Sequence, residues 1–102
     1  MDKRQTPETA LRYAVYLRKT KPGIKKIYIF GSHAKGTSHD NSDIDMAIVF
    51  DHLSDSFDMQ VELMKIRRKF DTIIEPHPFS QADFNASNAL ANEILRNGLL
   101  IA

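Results

Sequence analysis

Five residues of this 102-residue chain have the types and spacing needed to hold a phosphate chain beside a divalent cation. Gly31-Ser32 directly follows an apolar run. A short helical turn starting there would aim free N–H groups and a hydroxyl outward from a strand end, which makes an anion site. Glycine admits close backbone approach, and Gly36 permits the next bend. Alone, the pair reads equally well as a turn and a cap. Asp43 and Asp45 shift that balance, because strand residues two apart share a face and bring two carboxylates within reach of one cation. Their mutual repulsion at the mouth of an apolar strand calls for a counter-cation or bulk water. Hard oxygen donors suit Mg²⁺, which takes one or two carboxylates plus substrate phosphates. A third carboxylate comes from Glu75 or Asp71, which share strand parity; Glu75 is favoured because it follows Ile73-Ile74, whereas Asp71 directly follows a helix end.

The elements that must position these residues read as follows. Thr6-Pro7-Glu8 starts a helix running to about Thr20, with Thr6 as cap and Ala10, Leu11, Ala14, Val15 and Leu17 on the packed side. Lys25 to Phe30 is β-branched and aromatic, a strand that stops at Gly31. Gly31 to Ser42 is mainly loop, with one helical turn around His33-Ala34-Lys35. Ser42 to Phe50 begins with alternating acids and ends as a continuous apolar run, the pattern of a central strand. Met59, Leu63, Ile66 and Phe70 then recur at helical spacing. Thr72 to Glu75 forms a third strand, ended by the Pro-flanked His77. Ser80 caps a further helical segment, and Leu90, Ala91, Ile94 and Leu95 form a final amphipathic face before Asn97-Gly98. This order predicts a single α/β (α+β) domain over residues 1–102, a small mixed sheet of roughly three to four strands with helices packed against it.

Composition excludes several functions. The net charge of +1 argues against DNA or membrane-surface binding through bulk charge. Without cysteine there is no disulfide, thiolate zinc site or cysteine nucleophile. The four histidines lack a compact zinc pattern. With no apolar signal segment and no bilayer-length apolar stretch, the expectation is a cytoplasmic protein.

Gly31-Ser32, ten intervening residues and then Asp43-Ile44-Asp45 resembles the signature of the DNA polymerase β-like nucleotidyltransferase superfamily, and within it the minimal nucleotidyltransferases. The resemblance extends over nearly the whole chain and implies a polymerase β palm-like fold. By position, Gly31 and Ser32 would hold the NTP phosphates, Asp43 and Asp45 would bind Mg²⁺, and Glu75 would fill a third acidic place where many relatives have Asp. The implied activity is transfer of a nucleoside monophosphate, AMP from ATP, to a hydroxyl on a partner macromolecule. Minimal members resemble the antitoxin half of toxin–antitoxin pairs, whose partner is an all-helical HEPN-type ribonuclease with a tyrosine acceptor. The alternative is a module that masks a helical partner without turnover. A homodimer stays open, and would be needed to build an antibiotic site in an aminoglycoside-type enzyme of this length.

Other residues carry plainer expectations. Lys35 stays outside the primary site. His77 flanks the nucleotide or sits in an exposed proline turn. Arg67-Arg68-Lys69 reads as a solvated helix end, and Tyr13 and Tyr16 as partly exposed tyrosines off the apolar face.

Overall fold

The computed structural model describes residues 6–35 and 43–102; Gly36 and the side chains of Ser32 and Lys35 lie outside the described part. Along the chain run α1 (Glu8–Thr20), β1 (Ile24–Phe30), α2 (Ser32–Lys35), β2 (Ile44–Phe50), α3 (Ser56–Arg67), β3 (Ile74–Ser80), α4 (Ala89–Asn97) and β4 (Leu99–Leu100). The four strands form one mixed sheet in the order β3-β2-β1-β4. β1 is antiparallel to β2 and to β4, whereas β2 and β3 are parallel. A parallel pair needs a crossover, which α3 supplies.

Strand alternation gives the sheet two different faces. Ile44, Met46, Ile48 and Phe50 of β2, Ile27 and Ile29 of β1, and Ile74 of β3 pack in one cluster with Ala10, Tyr13, Ala14 and Leu17 of α1 and Leu63 of α3. Each fully buried aliphatic side chain there contributes about 1.5–3 kcal/mol. The opposite face holds a smaller cluster of Tyr28, Phe30, Ala47, Val49 and Ile94, with Phe79 and Phe84 against it.

Local chemistry sets the element ends, in places differently from expectation. Thr6 does not cap α1: Pro7, extended at ψ 136°, is the boundary residue, and Thr6 is buried with its hydroxyl unpartnered. α3 starts earlier than expected because Asp55 accepts the Asp58 N–H at 3.1 Å, a helix N-cap. Ser80 accepts from the Asp83 N–H at 3.2 Å but closes a turn; the cap of α4 is Asn88, which accepts from Ala91 N–H at 3.0 Å.

Four side chains sit differently from the helical-wheel reading. Val15 is 54 % exposed, and Leu90 and Leu95 are also exposed. Tyr13 is wholly buried, because its hydroxyl donates to the Leu63 carbonyl at 2.8 Å and its ring meets Phe70 edge-on. An acceptor from another helix makes a buried phenol tolerable.

β3 does not stop at His77 but runs through Pro76-His77-Pro78 to Ser80. As an edge strand it can present the proline nitrogens away from β2. Two outward carbonyls of this edge are taken by α3: Arg67 donates to Ile74 O at 2.7 Å and Gln60 to Pro76 O at 2.6 Å.

Candidate active site

The candidate residues gather where β1 ends and β2 and β3 begin. Phe30 lies opposite Asp45 in the antiparallel register, and Asp45 lies beside Glu75 in the parallel one. The three therefore share the face away from α1 and α3. Gly31 follows at φ +75°, a left-handed conformation that glycine adopts without strain. A Cβ at this position would lie 2.5 Å from Asp45 Oδ2. The carboxylate thus sits directly over the glycine backbone, and no larger residue fits without displacing it.

α2 begins at Ser32, immediately after this turn, so the short helical turn expected here is present; the Ser32 side chain lies outside the described residues. Asp43 is exposed, one residue ahead of β2. Asp45 is half-buried. Glu75 points toward Arg67, whose Nη1 is 3.5 Å from its Oε1. Asp71 is the turn residue that parity alone could not exclude: its Oδ1 accepts the Ile73 N–H at 3.0 Å, a short-range turn bond.

Two further side chains adjoin these residues. Arg67 is not a solvated helix end; it is largely buried and spans Ile74 O and Glu75. His77, two residues beyond Glu75 on the same face, sits with Nε2 3.4 Å from Asp45 Oδ1 and its ring 5.1 Å from that of Phe30. The sequence left His77 between a place beside the nucleotide and an exposed proline turn; its pairing within β3 puts it on the same face as Glu75. No signal in the sequence marked Arg67.

The donor chemistry suits a hard divalent cation. Asp45 and Glu75 stand abreast on adjacent strands and Asp43 lies at the mouth of the same strand, all offering carboxylate oxygen. Among the described residues, no three acidic or histidine side chains converge as a preformed cage. A cavity of about 510 Å³ lies elsewhere, between α1 and Phe70, and is lined by none of these residues.

Residues 14–102 match the family described as polymerase beta, nucleotidyltransferase. The chain belongs to that nucleotidyltransferase family. It is 52 % identical over 33 residues to the protein adenylyltransferase MntA of Shewanella oneidensis, a match covering 32 % of this chain and 24 % of that protein. The aligned stretch is thus about a quarter of the relative's length. Among solved structures, a Sulfolobus solfataricus protein described as a nucleotidyltransferase superposes with a TM-score of 0.64 at 22 % identity, over 91 % of this chain and 76 % of that one. A mutant MntA toxin–antitoxin structure superposes with a TM-score of 0.65 at 25 % identity, over 89 % and 69 %. A toxin–antitoxin structure with AMP-PNP gives a TM-score of 0.60 at 22 % identity, over 88 % and 70 %. The nucleotidyltransferase fold seen in these structures is the one described above for this chain.

Proposed function

We propose that this nucleotidyltransferase-family chain transfers AMP from ATP, with Mg²⁺, to a hydroxyl of a partner macromolecule, and that the partner is a HEPN-type ribonuclease toxin silenced by the modification. The observation that carries the reading is the Asp45 carboxylate lying over Gly31 with Glu75 abreast on β3. The likeness to MntA supports the protein acceptor, and the toxin–antitoxin structures support the partner class.

In this reading the triphosphate lies along the Gly31-Ser32 backbone, where a side chain would otherwise intervene. Asp43, Asp45 and Glu75 would hold the metal, which when bound neutralises the triphosphate and lowers the cost of charge on the reacting oxygens. The acceptor hydroxyl oxygen attacks the α-phosphorus in line. A new P–O bond forms, the α–β bridging bond breaks, and pyrophosphate leaves with that electron pair. Glu75, once released from Arg67, would accept the hydroxyl proton or help hold the metal. The chain's main contribution is positioning and neutralisation.

The test is incubation with α-labelled ATP, Mg²⁺ and a HEPN-type ribonuclease toxin. Label should appear on the partner and vanish in the Asp43→Asn, Asp45→Asn double variant; label that persists in that variant overturns the reading. A second reading, masking without turnover, is favoured by the engagement of Glu75 with Arg67. It predicts that the same double variant neutralises the toxin fully.

A further inference from the structure

We propose that His77 is a positioning residue for Asp45, holding Oδ1 so that Oδ2 is presented over Gly31 to the cation and phosphates. The inference deepens the reading above and rests on it. His77 Nε2 is shut off from solvent and has no hydrogen-bond partner of good geometry, yet it lies 3.4 Å from Asp45 Oδ1. A buried polar nitrogen without a partner is disfavoured, and Asp45 Oδ1 is the acceptor within a small movement of it. The other oxygen, Oδ2, occupies the space above Gly31. The two oxygens of one carboxylate are thereby divided between a fixed neighbour and the open mouth of the site.

The imidazole is well placed for this work. β3 sets its backbone beside Ala47 of β2, prolines on both sides restrict the flanking dihedrals, and the Phe30 ring packs beside it at a tilt of 59°. Carboxylates that bind metals are commonly oriented by such a hydrogen bond, and its loss costs roughly 10–100-fold in metal affinity. A free aspartate, by contrast, would sample rotamers in which Oδ2 leaves the glycine.

The experiment titrates Mn²⁺ alone into the full chain and follows the free ion by electron paramagnetic resonance, beside thermal melting. His77→Leu removes the donor while filling similar space; His77→Gln keeps an N–H near the Nε2 position. His77→Leu should weaken Mn²⁺ binding by about tenfold or more, with a melting temperature equal to wild type or above it, and His77→Gln should recover most of the affinity. A purely structural histidine would instead lower the melting temperature of both variants and leave the affinity of the folded fraction unchanged. Wild-type and His77→Leu chains binding Mn²⁺ equally would overturn the proposal alone. A wild-type chain that binds no Mn²⁺ would overturn the metal reading beneath it as well.

Discussion

The two faces of the sheet are made from the same strands yet obey different rules. On the face packed against α1 and α3, β2 contributes Ile44, Met46, Ile48 and Phe50 to a continuous apolar layer. One residue out of phase, it contributes Asp45, Ala47 and Val49, so that polar chemistry sits at one end of the other face and a small apolar patch covers the rest. A period of two separates folding energy from chemistry within a single seven-residue segment. Substitutions on one face should therefore change stability and those on the other should change transfer.

Asp45→Asn should separate the two faces most strongly. It removes a charge from the site face while keeping shape, and should lower transfer from labelled ATP by on the order of 10²–10³-fold with little change in melting temperature. A large loss of melting temperature instead would mean that Asp45 is structural. Leu63→Ala is the mirror experiment. This side chain is wholly buried under the helices, so chemical denaturation should report a loss of about 2–5 kcal/mol, while the folded fraction keeps its transfer rate. Gly31→Ala sits where the faces meet. A positive φ and the 2.5 Å approach to Asp45 Oδ2 should cost about 1–3 kcal/mol in stability and reduce transfer together; a change in only one of them would show that backbone strain and carboxylate placement are independent.

The smallest effect concerns the packed face. Burial pushes the Tyr13 phenol above its ordinary value of 10.0, with Arg67 opposing more weakly. The folded protein thus keeps this proton where the unfolded chain releases it, so stability is intact below pH 10 and declines as pH rises beyond it. Tyr13→Phe, which loses the bond to Leu63 O, should cost about 1 kcal/mol at neutral pH and show a shallower loss of melting temperature above pH 10 than wild type.

Much of this layout was legible because it is local. The alternation in Asp43-Ile44-Asp45 followed by an apolar run gave β2 and its central place, and Gly31-Ser32 gave the turn at the end of β1. What escaped was decided by distant partners. Parity could not separate Asp71 from Glu75; the parallel register beside Asp45 and the Asp71 turn bond distinguish their surroundings. Tyr13 falls off the apolar face of the helical wheel and read as partly exposed, but its acceptor lies fifty residues away in sequence. Pro76 and Pro78 read as the end of a strand at a sheet edge; its continuation to Ser80 depends on the pairing with β2, which sequence alone does not show.

The outer margin of β3 also bears on how copies of the chain behave in a crowded solution. Exposed strand margins are the places where sheets grow into fibrils, since unpaired N–H and C=O groups template an incoming strand. Here Pro76 and Pro78 bring no hydrogens to share, while Ile74 O and Pro76 O are already occupied by Arg67 and Gln60. A foreign strand arriving along that side finds few bonds to make, which discourages runaway stacking.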